Sequence, residues 1–147
     1  DSFDKAVSYC QQVGIAETDP SGDVDGWDAA IKVAALVTVL MGIPLKPQDV
    51  EREGIRNITP EMVADAIKDG KRYKLICSAE RDGDKIISAK VAPELIPSTS
   101  PIYSVEGTSS IVEFRTDVLG DLSVVEKDPG PRTTAYGLLA DFFNAVK

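Results

Sequence analysis

The chain contains no histidine. That single absence removes His-based catalytic triads and every histidine-containing zinc site, and leaves acid–base work to Lys, Asp, Glu, Tyr or Cys. Only two cysteines occur, Cys10 and Cys77, at no metal-ligand spacing. Both fall in segments that read as regular structure, and both are expected to be buried free thiols in a reducing compartment. The most apolar stretch, Ala29–Met41, carries Lys32 and falls short of the roughly 20 residues that span a bilayer. The opening lacks a basic stretch followed by an apolar run, so it does not read as a secretory signal, and a cytoplasmic location is expected. The first residue is Asp1 and not Met, which reads as a processed product or an excised piece. Positive charge is scarce too: 16 Lys and Arg stand against 24 Asp and Glu, a net −8. A nucleic-acid partner or an anionic membrane surface would demand clustered cations, and neither is expected.

What is present is ordinary for one globular domain: 147 residues, 43% of them apolar and 27% charged. Ser2 can cap a first helix in which Phe3, Ala6, Val7, Cys10 and Val13 recur at spacings of three and four, with Gly14 to end it. A polar loop, Ile15–Gly26, holds Glu17, Asp19, Asp23 and Asp25. The next helix spans Trp27–Met41 and closes at Gly42, with Asp25 and Asp28 placed to stabilise its positive end. Apolar on nearly every side, it reads as a buried central helix. A charged connector, Leu45–Asn57, leads to a helix capped by Thr59 and started by Pro60, with Met62, Val63, Ala66 and Ile67 on one face and a stop at Gly70. Tyr73–Glu80 and Lys85–Val91 flank Asp82-Gly83-Asp84 as a β-hairpin. Pro93, Pro97 and Pro101 predict an irregular stretch or a sheet edge. Two further strands, Ser109–Arg115 and Leu122–Glu126, flank Gly120-Asp121, and Thr133 or Thr134 can cap a last helix to Val146. The order predicts an α+β fold with one mixed or antiparallel sheet, helices on one face, and the other face used for dimerisation.

One constellation carries chemistry. Asp28 and Lys32 are four residues apart on one helix face. They are either a surface ion pair of modest worth or a functional pair, since Ile31, Val33, Ala34, Ala35, Leu36 and Val37 leave no polar stripe to seat a lysine. The carboxylates before it can serve as caps and Asx turns, Asp19 and Asp25 above all, or can hold a substrate ammonium while the lysine works on an oxygen. A calcium loop is a poor fit, because the glutamate that closes an EF-hand is missing, and no metal is expected.

The run Glu17-Thr-Asp-Pro-Ser-Gly-Asp-Val-Asp-Gly-Trp-Asp-Ala-Ala-Ile-Lys32 closely resembles the homoserine dehydrogenase signature, G-Y-x-E-x-D-P-x-x-D-x-x-G-x-D-x-x-x-K, departing only at Ile15. The flanks agree: Asp1-Ser-Phe-Asp-Lys-Ala-Val with S-F-x-E-A, Glu53-Gly-Ile55 with E-G-I, Asn57-Ile-Thr59 with a helix start, Tyr73-Lys-Leu-Ile76 with K-L-L, and Leu95-Ile-Pro97 plus Pro101 with L-I-P…H-P. The resemblance covers essentially the whole chain. It implies the substrate-binding and dimerisation domain, residues 1–147, of an enzyme that interconverts L-homoserine and L-aspartate 4-semialdehyde with NAD or NADP, in threonine and methionine biosynthesis, as a homodimer.

It also implies roles. Lys32 matches the proton donor, Glu17 and Asp28 match substrate-holding positions, and Asp23 matches a pocket-lining one. The family's nucleotide-binding domain, which supplies a second lysine, has no counterpart here: no Gly-x-Gly-x-x-Gly follows a strand. The chain alone is expected to be inactive, and its closing helix, 133–146, to seek the absent domain with Leu138, Leu139, Phe142 and Phe143. The family's glycine-rich turn near the cofactor appears as Glu126-Lys-Asp-Pro-Gly-Pro131, with only Gly130 retained as a weak cofactor contact. Two other readings are a dimerisation or amino-acid-binding module that has lost catalysis, and a related semialdehyde-handling dehydrogenase with altered substrate preference.

Overall fold

The structure, a computed structural model, describes residues 2–147. It is α+β, and its contacts divide it into two compact units, one through Ser98 and one from Thr99.

In the first unit, α1 (Phe3–Gln12) starts at Ser2, whose hydroxyl accepts from the Lys5 amide, and Gly14 follows it at φ +74°. The polar loop is not wholly irregular, for it contains a single helical turn, α2 (Ser21–Val24). Asp19 makes the expected Asx turn, its carboxylate accepting from the Ser21 amide at 3.0 Å. Next comes α3 (Trp27–Leu36), extended by a π-helical turn over Val37–Met41 and closed at Gly42, φ +69°. The connector holds a 3₁₀ turn (Pro47–Asp49) and a two-residue strand, β1 (Glu51–Arg52), that the sequence pattern does not reveal. A helix, α4 (Pro60–Lys68), is capped by the Thr59 hydroxyl and followed by Gly70 at φ +67°. The hairpin β2 (Lys71–Asp82) and β3 (Lys85–Pro97) is longer than the pattern predicts. The sheet is mixed, in the order β1-β3-β2, with β1 parallel to β3 and β2 antiparallel to it. A register shift at Glu80/Arg81 marks a bulge on the β3 side.

The prolines do not interrupt β3. Pro93 pairs with Leu75 and Pro97 with Lys71. Val91 turns its carbonyl away from β2, to the Glu53 amide at 2.8 Å. By strand alternation Pro93, two residues on, also faces away from β2, beyond the reach of β1. Its missing N–H therefore breaks no ladder bond, as at an edge.

The core forms where α3 lies on the hairpin. Ala30, Val33, Ala34 and Val37 make a stripe at helical spacing against Val50 and a fully buried Val91, with Leu75, Ala79 and Ala89 packed around them. Only that stripe is buried, which corrects the expectation of a helix covered on all sides: Ile31, Leu36, Val39 and Leu40 are exposed. The cysteines also depart from expectation, since Cys10 is half-buried and Cys77 exposed.

The second unit holds a 3₁₀ turn (Pro101–Ser104), the antiparallel pair β4 (Ser110–Thr116) and β5 (Gly120–Glu126), and α5 (Pro131–Ala145). β4 and β5 form a ladder of their own and not two more strands of the mixed sheet. Neither Thr133 nor Thr134 caps α5. It begins earlier, with Gly130 as N-cap and Pro131 in its first turn, where a fixed φ and a missing N–H suit a helix start. No residue of α5 is buried, and Leu138, Leu139, Phe142 and Phe143 are exposed, with the two phenylalanines edge-to-face at 6.0 Å.

Val91→Ala removes two methyl groups from the centre of the first unit and leaves a void. Transfer and cavity terms together predict a loss of about 2–3 kcal/mol, to be read from urea unfolding midpoints at unchanged slope.

Candidate functional site

The structure joins two of the sequence-selected residues directly. Lys32 Nζ and Asp28 Oδ2 stand 2.6 Å apart on the first two turns of α3, with side chains 70% and 49% exposed. Both lie outside the buried stripe of α3 and keep exposed surface, so Lys32 is not pressed into apolar surface; a partner carboxylate and solvent solve its seating problem. Glu17 is exposed in the loop before α2, and that loop is tied to α1 by Gln11, whose side-chain amide donates to the Glu17 carbonyl at 3.0 Å and the Thr18 carbonyl at 3.2 Å. Asp23, on α2, lines an open pocket of about 240 Å³ with Phe3, Val7, Cys10, Ile15 and Val24. That pocket does not include Glu17, Asp28 or Lys32. Among the described residues no three carboxylates or thiols converge as metal ligands.

Asp25 does not cap α3. Gly26 is the N-cap, at φ +75°, and no side chain caps the helix. The Asp25 carboxylate instead takes Arg56, with Nε to Oδ1 at 2.5 Å and Nη2 to Oδ2 at 3.1 Å. This two-pronged contact holds the Asp25 carboxyl below its ordinary 3.8 and raises the Arg56 guanidinium.

Pattern alone misses Cys77. Its thiol lies against the Ala29 carbonyl in the first turn of α3, at 3.7 Å. Although the residue keeps exposed surface, partial desolvation of the sulfur beneath α3 raises its pKa above the ordinary 9.0, Lys32 opposes that rise and Asp28 adds to it, so the group stays a thiol at neutral pH. Strand alternation was the available signal, because Leu75, Cys77 and Ala79 share the face that α3 covers. Arg52 and Arg56 were missed for another reason: they meet Asp25 only through the fold, from about thirty residues away.

In the second unit, Gly130 is extended at φ −126°, ψ 178°, and a Cβ there would meet nothing within 4 Å. Two residues earlier, Asp128 adopts φ +45°, the one non-glycine at positive φ among the described residues. Its amide donates to Ser109 Oγ at 3.0 Å, and that hydroxyl lies 3.4 Å from its carboxylate. This turn does not fit the phosphates of a dinucleotide. Glu126 and Asp128 place carboxylates there, and Pro129 and Pro131 delete two of the amides that would meet an anion.

The Asp25–Arg56 pair makes a titration prediction. A depressed carboxyl stabilises the fold fully above the ordinary value, and that contribution is lost as pH falls through the lower folded value. NMR titration of Asp25 should give a midpoint below 3.8, and Arg56→Ala should return it towards 3.8.

Comparison with known proteins addresses the whole chain. The family model described as homoserine dehydrogenase matches residues 1–143. An NAD(+)-dependent homoserine dehydrogenase of Pseudomonas canavaninivorans is 36% identical over 97% of this chain, and a homoserine dehydrogenase of Methanocaldococcus jannaschii is 37% identical over 99%. The chain spans 40% and 42% of those two proteins' lengths. Among solved structures, Staphylococcus aureus homoserine dehydrogenase superposes with a TM-score of 0.87 at 29% identity, over 99% of this chain and 37% of that one. A hyperthermophilic archaeal homoserine dehydrogenase mutant in complex with NADPH gives 0.74 at 32%, over 99% of this chain and 40% of that one. With the signature loop in place before α3 and the fold shared from end to end, the chain belongs to the homoserine dehydrogenase family.

Proposed function

We propose that this chain supplies the substrate-binding and proton-transfer half of a homoserine dehydrogenase, interconverting L-homoserine and L-aspartate 4-semialdehyde. The observation that carries the reading is the Asp28–Lys32 pair at 2.6 Å, set on α3 behind a loop that matches the family's substrate signature. The dinucleotide, NAD or NADP, is assigned to a nucleotide-binding domain outside this chain, because the turn at Gly130 is unsuited to its phosphates. One relative is named for NAD(+) and one structural neighbour holds NADPH, which supports the pair without choosing between them. By the same family argument the enzyme works as a cytoplasmic homodimer in threonine and methionine biosynthesis.

The chemistry follows from the residue types. Reduction of the aldehyde builds negative charge on its oxygen. An ammonium at that oxygen neutralises the charge and delivers a proton; in the reverse direction the amine takes the proton from the homoserine hydroxyl. Asp28 directs Lys32, holding its Nζ at 2.6 Å. Glu17 and the second oxygen of Asp28 are assigned to the substrate's α-ammonium, and Asp23 to the pocket wall. Holding that ammonium fixes the reacting carbon relative to Lys32 Nζ, and such positioning is a large part of catalysis. With Lys32 70% exposed, water is excluded only when substrate and the nucleotide-binding domain close over α3.

A second reading, an amino-acid-binding or dimerisation module without turnover, is favoured by one feature, the replacement of the glycine-rich turn by Asp128-Pro-Gly-Pro131. Kinetics on the complete enzyme separate the two. Lys32→Ala should lower kcat by about 10²–10⁴-fold, while Glu17→Ala should chiefly raise KM. A complete parent enzyme that binds L-homoserine without turning it over establishes the module. A kcat within a few fold of the parent in Lys32→Ala removes the proton-transfer assignment.

A further inference from the structure

We propose that the segment Arg52–Arg56 is a clamp whose two guanidinium groups position the entry to α3, and through it Asp28 and Lys32, for proton transfer; this role rests on the reading of Lys32 given above. The need for a clamp is visible in α3 itself. Its N-terminus carries no capping side chain, and it is entered through a left-handed glycine, Gly26. Locally the entry is held only by backbone bonds, from the Asp25 amide to the Ser21 carbonyl and from the Gly26 amide to the Asp23 carbonyl, and no capping side chain adds to them.

The connector after the 3₁₀ turn supplies that fixation. The Arg52 guanidinium lies over the Trp27 ring, 3.9 Å from its centroid, and Nη1 donates to the Asp25 carbonyl. Arg56 grips the carboxylate of the same Asp25 with two nitrogens. Between the arginines, Gly54 lets backbone meet backbone: a Cβ there would stand 2.4 Å from the Val24 carbonyl oxygen and 2.7 Å from Asp25 Cα. The Ile55 amide donates to that same Val24 carbonyl at 2.9 Å. The Glu53 amide, bonded to the Val91 carbonyl, fastens the connector to the sheet beneath. Residues 24–27 are thus held from the sheet side through residues 52–56, and Asp28 is the next residue along. A shift of about 1 Å in that turn moves Lys32 relative to a substrate held by Glu17, and misplacement of that size costs about 10²-fold in rate.

Arg56→Ala and Arg56→Lys test the clamp. The lysine keeps the charge and loses the fork. In the chain, exchange of the bonded amides of Asp25, Gly26 and Ala30 should accelerate by about tenfold in both variants while residues 71–97 are unchanged, and the emission of Trp27, the one tryptophan, should shift. In the complete enzyme, kcat should fall and the limb of the pH–rate profile that disappears in Lys32→Ala should move; a merely structural loss lowers the amplitude and leaves the limb in place. Unaltered exchange at Asp25, Gly26 and Ala30, or an unmoved limb, overturns the proposal. Lys32→Ala, run alongside, separates the failures. If it retains kcat, the reading of the site fails. If it loses kcat while the limb in Arg56→Ala stays put, the clamp alone fails.

Discussion

The close approach of α3 to Val91 is the contact on which the rest of the first unit depends. Small side chains at Ala30 and Ala34 bring the helix down onto the hairpin, and Val33, Val37 and Val50 fill the remaining space. Because Val91 is fully buried there, its backbone is fixed in register with Cys77 on one side and with Arg52 on the other. A helix packed this way has one buried stripe, and the surface outside it is free to serve a ligand. Asp28 and Lys32 stand outside that stripe. A single packing contact therefore decides both where the core is and which way the charged pair faces.

The parts of this arrangement that are local in sequence were legible beforehand. Glycines at positive φ ended helices after Gln12, Met41 and Lys68, as their positions implied, and Thr59-Pro60 began one. The Asp82–Asp84 turn joined two strands, and Asp19 formed its Asx turn. Long-range parts were not legible. The strand Glu51–Arg52 exists because β3 offers a free edge at Lys90 and Val91, which two charged residues do not announce. Asp25 has the chemistry of a cap, yet a fork from Arg56 outcompetes the helix end for it. Pro93 looked like a breaker because its strand's pairing could not be known; with the N–H side facing away from β2 it is harmless.

The charged site shows the same division. The spacing of Asp28 and Lys32 leads directly to their ion pair, and a surface ion pair is one of the two readings that spacing allows; the apolar neighbours argue against exposure. Apolar neighbours on all sides suggested burial, whereas Ile31, Leu36, Val39 and Leu40 lie uncovered in this chain. A chain that covers about two fifths of its relatives' length is consistent with that surplus of bare apolar surface, which also runs along α5. For proton transfer, an exposed ammonium is a starting condition. Its value as an acid depends on what the bound substrate excludes.

Proton transfer from Lys32 depends on one distance. A crystal structure of the complete enzyme with L-homoserine bound would measure it most directly. Lys32 Nζ should stand at hydrogen-bond distance from the substrate hydroxyl, about 3 Å, with the substrate ammonium held by Glu17 and Asp28. Homoserine seated instead in the apolar pocket under α1, with Lys32 still turned to solvent, would contradict proton transfer from Lys32.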